Sequence, residues 1–478
     1  MDCSCSVTPT LGNLPNNILF FGGTHKGFRT FKMIKFIFSI LTISTSFLNP
    51  AFASDPSVDE NAMFSDTSSI TSSKDIVDNK TISEKDKKTI GLSGQIVDAN
   101  IGAFNRDWFN DLHRSNVQLS TFVLGNLMLD IRLPQGAKAF ANLETQYIPQ
   151  GSNVLVSLRE IFLDGNLKNH VFLRLGKQVL QWGRCDIWNP TDLINVEKKL
   201  FIQKIGYREG AYGIKLHIPF GTAYNIYGFV DTREASSVDS IAAAGKFEFL
   251  IGGTEMAFSM WDKKNYHPVF GYDFSTRLLG IDLTGELSLS DGSNNFSLQN
   301  QNSILEKTKS NDWQTRLCLD LGRQFNFFDI SQGLSITGSF YYNRGGYGDN
   351  LFNDTNTYNF KDPISSLDAF GKPVTKTNGT KADFLTMNNL YEMNDFSRYY
   401  LGLDVEVSRI FISALSGFFK IIDNIPQSSM VLTTGVNVVS LNEFFTGLTI
   451  NGFFGKKNTE YTFQNQAMSI QITAGVTF

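Results

Sequence analysis

The last eleven residues read Met468-Ser469-Ile470-Gln471-Ile472-Thr473-Ala474-Gly475-Val476-Thr477-Phe478. Met468, Ile470, Ile472, Ala474, Val476 and Phe478 alternate without a break with Ser469, Gln471, Thr473, Gly475 and Thr477. Side chains of a β-strand point to opposite faces at period two, so this segment predicts a strand with one apolar and one polar face. The same pattern recurs upstream. Leu279, Ile281, Leu283, Leu287 and Leu289 oppose Asp282, Thr284, Glu286 and Ser288. Trp313, Leu317, Leu319 and Leu321 oppose Gln314, Arg316 and Asp320, and Tyr399, Leu401, Leu403 and Val405 oppose Asp404 and Glu406. A β-sandwich would bury that second face, and an unpaired buried carboxylate is costly. A water-filled lumen accepts it. The expectation is an all-β fold, a transmembrane antiparallel β-barrel of about 16–18 strands.

Composition agrees. Of 478 residues only 18% are charged, while Phe contributes 42 and Gly 40. No stretch approaches the ~20 apolar residues of a membrane-spanning helix. The net charge of −4 argues against a nucleic-acid partner. Residues 1–53 read as a leader with translation starting at Met33: Lys32 and Lys35 precede the short apolar run from Phe36 to Leu48. Ala51-Phe52-Ala53 then fits a small-x-small cleavage site. Residues 54–90, rich in Ser, Thr, Asp and Lys, read as a disordered periplasmic segment, and 91–478 as the barrel. Cys3 and Cys5 fall in the leader. Cys185 and Cys318 are far apart in sequence, which supports neither a disulfide framework nor a zinc-binding spacing. No cofactor and no metal are expected.

The ending in Phe478 resembles the C-terminal signal of bacterial outer-membrane proteins, and implies recognition by the barrel assembly machinery. A second likeness lies in Leu173-Arg174-Leu175-Gly176-Lys177-Gln178-Val179-Leu180-Gln181-Trp182-Gly183-Arg184 followed by Asp186-Ile187-Trp188-Asn189-Pro190-Thr191-Asp192. It resembles a segment of poorly characterised porin-like outer-membrane families, in which a G-[RK]-Q strand leads into W-G and N-P-x-D. The resemblance implies an outer-membrane location, lipid around the barrel, and passive or facilitated diffusion of small solutes. It names no solute.

Eighteen segments alternate suitably, from 92–104 to 468–478. An even count places both ends of the chain on one side, with short turns there and long loops opposite. Counting back from Phe478 puts Leu133-Pro134-Gln135-Gly136 and Gly252-Gly253 among the inner turns, and 290–312 and 344–398 among the outer loops.

Candidate pore-lining or constriction residues are Glu144, Arg159, Glu160 and Arg174 on neighbouring strands, and Arg184, Asp186 and Asp192 in the loop that follows. That loop, 183–208, either folds into the lumen and narrows it or seals the outer mouth. Alternation through Leu173 and Leu175 puts Lys177 on the lipid side unless a bulge intervenes. Asn189-Pro190-Thr191-Asp192 has the composition of a turn. Tyr341, Tyr342, Tyr399, Tyr400, Phe453 and Phe454 read as girdle aromatics near strand ends, with a ligand ladder inside the pore as the other reading. His113, His170, His217 and His267 form no recognisable catalytic arrangement, so an enzyme is not expected. The competing function is a non-conducting surface barrel, an adhesin or envelope-structure protein, working through 344–398.

Overall fold

The computed structural model describes residues 89–478 apart from 110–115, 134–135, 150–152, 169, 181, 195–206, 328–329, 368–372 and 440–442. The leader read at 1–53, almost all of the segment read at 54–90, and His113 lie outside the described residues. So does most of the second half of the 183–208 loop.

Eighteen strands form one sheet in which every neighbour is antiparallel. The first eleven run in chain order: β1 (Thr89–Asn105), β2 (Val117–Arg132), β3 (Lys138–Ile148), β4 (Asn153–Leu167), β5 (Val171–Gln178), β6 (Ala211–Phe220), β7 (Tyr224–Asp231), β8 (Ala242–Ile251), β9 (Thr254–Lys263), β10 (Val269–Leu278) and β11 (Ile281–Asp291). After them come β14 (Trp313–Phe327), β15 (Ile330–Asn343), β18 (Tyr399–Val407), β19 (Leu415–Asn424), β20 (Ser429–Val439), β21 (Phe444–Gly455) and β22 (Gln466–Thr477). β22 pairs back onto β1, with Gln95 opposite Thr477 and Gly102 opposite Ile470, so the sheet closes and leaves no edge. Closure is what lets strands cross a bilayer, since every backbone amide finds a partner without water. The seam ends where Gly94 and Phe478 exchange backbone hydrogen bonds of 2.8 and 3.0 Å. A Cβ on Gly94 would stand 2.4 Å from the Asn126 carbonyl oxygen and 2.7 Å from the Phe478 ring, so no side chain fits there.

The alternation acts as expected. Ile472, Leu321 and Leu401 are exposed on the outside, whereas Ser469, Glu286, Asp320 and Asp404 are buried on the inside. On the outer face of β7 to β10, aromatic rings follow one another from Tyr224 through Phe247, Phe249, Phe258 and Tyr272 to Phe274, with centroids 5.2–6.2 Å apart. Aromatic belts of this kind sit at membrane interfaces. The girdle reading of six other aromatics needs correction. Tyr341, Tyr400 and Phe453 point inward and are buried in one cluster with Trp188. Their partners in sequence behave as read: Tyr342 and Tyr399 face outward as a pair 5.3 Å apart. The pairs Tyr341-Tyr342 and Tyr399-Tyr400 put one ring on each face, so their presence at strand ends could not reveal which ring was which.

Long connections gather at one end of the barrel and tight turns at the other. Two of the long ones build a second sheet of four strands, β12 (Ser297–Gln301), β13 (Ile304–Thr308), β16 (Tyr358–Leu367) and β17 (Pro373–Gly379). A short helix follows, α1 (Lys381–Met387), whose N-cap Thr380 forms a capping box with Asp383. Leu305, Phe360, Ile364 and Phe384 make its core. A second cluster, Phe352, Leu385 and Phe396, reaches Phe463 in the loop between β21 and β22. The expected outer loops are therefore a folded cover with apolar cores of its own.

Candidate functional site: a loop inside the barrel

The chain leaving β5 does not stay at the barrel mouth. Trp182 packs with Leu180, Ile194, Ala211 and Phe229 at the root of the loop. Gly183 follows where the backbone runs close to the wall: a Cβ there would lie 2.6 Å from Asn189 Cβ and 2.9 Å from a Glu286 carboxylate oxygen. Arg184 then spreads its guanidinium over three strands. Nε donates to Asp273 on β10 at 2.5 Å, Nη1 to Glu255 on β9 at 2.5 Å, and Nη2 to Glu248 on β8. Glu255 is next to the first residue of β9, close to the short-turn end. The loop thus reaches deep into the lumen, and the alternative of a loop that only seals the mouth does not hold for its described part. Lys246 joins the group, donating to the Trp182 carbonyl at 2.8 Å and lying 3.3 Å from Asp273.

Glu286 on β11 is the anchor. Its carboxylate accepts from the peptide N–H groups of Arg184 (2.5 Å), Cys185 (2.6 Å) and Thr191 (3.0 Å), from the Thr191 hydroxyl (2.8 Å), and from the Asn189 amide (3.3 Å). Such charge-assisted bonds are the strong ones, and here they satisfy loop amides that have no ladder partner. Asn189-Pro190-Thr191-Asp192 is a turn, closed by the Asp192 N–H on the Asn189 carbonyl at 3.1 Å. Asp186 donates its N–H to Asp320 on β14 at 2.6 Å. Trp188 stacks on Tyr341 at 5.2 Å and donates its indole N–H to the Asn394 carbonyl at 2.8 Å. The loop tip is thereby tied to the outer cover.

The seven candidate charges do not converge on one point. Glu144 and Arg159 form an ion pair across β3 and β4, and Glu144 also accepts from the Tyr207 N–H at 2.9 Å. Arg159 has no opposite number on β3, where the register shifts between Asn142 and Leu143, so it is the extra residue of a bulge. Glu160 accepts from the Val179 N–H at 2.8 Å. Arg174 is 1% exposed, bidentate to Asp164 at 2.6 and 2.8 Å, and lies 3.9 Å over the Phe162 ring. Asp192 meets Arg208 at 3.3 Å. Only Arg184 and Asp186 border the polar recess under the loop, with Asp282, Asp320, Arg323 and Thr337. Lys177 stands opposite Ile161 and Tyr212, both exposed on the outer face, and pairs with Glu209 at 2.8 Å. Lys177 is itself buried at 7% exposure, and Gly176 before it has φ +130°, so strand alternation alone does not fix which face its ammonium occupies.

Sequence reasoning missed the loop's receivers, Glu248, Glu255 and Asp273. Their only signal was inward parity on short strands. It also missed that Cys185 and Cys318 meet: with Asp320, their ligand atoms all lie within 4.8 Å of one another. His217 has partners too, Asn225 at 3.1 Å and a stacked Tyr227 at 4.4 Å.

Fold and site together define a membrane-spanning β-barrel whose lumen is entered by one of its own loops. No protein-family model matches the chain, and no curated protein matches it. Among solved structures, OccK2 (OpdF) of Pseudomonas aeruginosa, determined in complex with glucuronate, is similar at 7% identity and a TM-score of 0.48, over 81% of this chain and 98% of that one. OccAB3 of Acinetobacter baumannii is similar at 9% identity and 0.46, over 81% and 99%. A triple-mutant porin of Rhodopseudomonas blastica is similar at 9% identity and 0.40, over 82% and 100%.

Proposed function

We propose that this chain is an outer-membrane channel for passive or facilitated diffusion of small solutes, with the loop from Trp182 to Asp192 as its constriction. The observation that carries the reading is the docking of that loop on Glu286, Glu248, Glu255 and Asp273 inside a closed barrel. A fixed loop narrows the lumen, and a polar recess lined by Asp186, Asp282, Asp320 and Arg323 lies beside it. Carboxylates outnumber cations around Arg184, which favours cations over anions. Bacterial export, residence among outer-membrane lipids and recognition of Phe478 by the barrel assembly machinery belong to the same reading, as does the likeness of the G-K-Q…W-G…N-P-T-D segment to porin-like families.

A second reading has its own support. Glu144 with Arg159 and Arg174 with Asp164 are closed pairs, as an inert scaffold would have, and the folded outer cover offers a surface to a partner. A planar-bilayer recording of the purified protein under a salt gradient separates the two. Discrete steps with a cation-side reversal potential are expected. A heat-modifiable barrel that passes no current would move the function to the cover. Phe478 is tested by deletion, which should impair assembly; normal heat-modifiable folding would count against the signal.

A further inference from the structure

Cys185 lies on the inward loop and Cys318 on β14, 2% and 0% exposed, in one apolar cluster with Trp188 and Tyr341. They come from opposite sides of the lumen, since the loop starts at β5. Their sulfurs lie within 4.8 Å of each other, and both are thiols in this structure. The remaining cysteines, Cys3 and Cys5, are in the leader region. In an exported chain the body of the protein therefore holds two thiols, already side by side, in a compartment where disulfides persist.

We infer that Cys185 and Cys318 form a disulfide that fastens the constriction loop to the barrel wall. This rests on the export reading above. The chemistry is thiol–disulfide exchange with a protein or glutathione disulfide as oxidant. Each cysteine gives up its proton, the Sγ–Sγ bond forms, and the two electrons and two protons convert the oxidant's disulfide into two thiols. Oxidation occurs during assembly, before the cluster closes. Burial then shields the bond from reductants. The tether lies one residue from Arg184, so it fixes the segment that also carries the guanidinium, and it joins residues distant in sequence, the case in which a cross-link most restricts the unfolded chain.

The test refolds the full chain carrying Cys3→Ser and Cys5→Ser in detergent, in a glutathione redox buffer. Heat-modifiable barrel is isolated, denatured, and treated with a polyethylene-glycol maleimide. No adduct is expected before reduction and two after it. With Cys185→Ser or Cys318→Ser added singly, one adduct is expected after reduction. Two adducts on folded protein without reduction overturn the inference. So do two thiols that carry one equivalent of zinc, because the group with Asp320 would then be a metal centre. The same assay on chain expressed with its own leader separates this from the export reading. Oxidised protein in the outer-membrane fraction supports both. Cytoplasmic chain with reduced thiols, alongside refolded protein that oxidises, sinks the export reading and leaves the pairing intact.

Discussion

Two connecting regions of this barrel solve the same problem in opposite ways. The loop after β5 goes inward and brings almost no partners for its own backbone; it borrows Glu286, Asp273 and Asp320 from the wall. The segments after β11 and β15 go outward and supply their own: a four-stranded sheet, a capped helix and two apolar clusters. Inside the lumen the loop adds Trp182, Ile187 and Trp188 to clusters shared with the wall rather than to a core of its own, and charge-assisted bonds to fixed strands satisfy its amides. Outside, there is chain enough for a small core.

Removing the borrowed partner should show the contrast most strongly. Glu286→Ala leaves several buried loop donors without an acceptor, each worth about 1–3 kcal/mol, for a total on the order of 5 kcal/mol. The loop should come off the wall while the barrel persists. Larger, noisier conductance steps with unchanged heat modifiability are expected; wild-type conductance would mean that Arg184 and the Asp186 N–H hold the loop without Glu286. Arg184→Ala comes next, at about 3 kcal/mol for leaving its carboxylates uncompensated. The reversal potential should shift further towards cations, and a shift towards anions would contradict the assigned charge balance.

The outer cover offers a pH test. Burial pushes the Glu460 carboxyl up to about 7, although the Asn394 N–H, Tyr400 hydroxyl and Asn424 amide donate to it. A raised carboxyl binds its proton more tightly when folded than when unfolded. Its contribution is therefore complete below about pH 4.5 and is lost as pH rises through about 7, by at most roughly 3 kcal/mol. Hydrogen exchange across 456–465 should quicken from pH 5 to pH 8, beyond the intrinsic rate. Glu460→Gln should remove that excess; a variant that keeps the wild-type profile would place the titration elsewhere. The smallest effect belongs to Thr380→Ala, which strips the N-cap from α1 at about 1 kcal/mol. Faster proteolysis of the cover with unaltered conductance is expected. Altered conductance would show that cover and loop are not independent, a coupling for which Trp188 on the Asn394 carbonyl is the obvious route.

The fold was legible because period two is a local property, repeated eighteen times. Met468 to Phe478 alone declares one wet and one apolar face. The site was less so. Arg184 and Asp186 could be singled out as loop charges. Their destinations could not, because Glu286 and Asp320 are more than a hundred residues away along the chain. Glu144, Arg159 and Arg174 could be singled out as candidate lumen charges, yet parity does not reveal that they pair with each other or with Asp164. Cys185 and Cys318 show the limit most plainly: neither spacing nor pattern predicts a contact that exists only once the loop has entered the lumen.

One property of the ladder carries a wider consequence. Strand pairing uses peptide groups, whereas the carboxylates that hold Arg184, Cys185, Asp186 and Thr191 belong to inward side chains of the wall. Glu248, Glu255, Asp273 and Glu286 can each be exchanged without deleting a rung. Architecture and the anchorage of the loop are thus written on separate atoms of the same residues, and mutation can rewrite the second while leaving the first untouched.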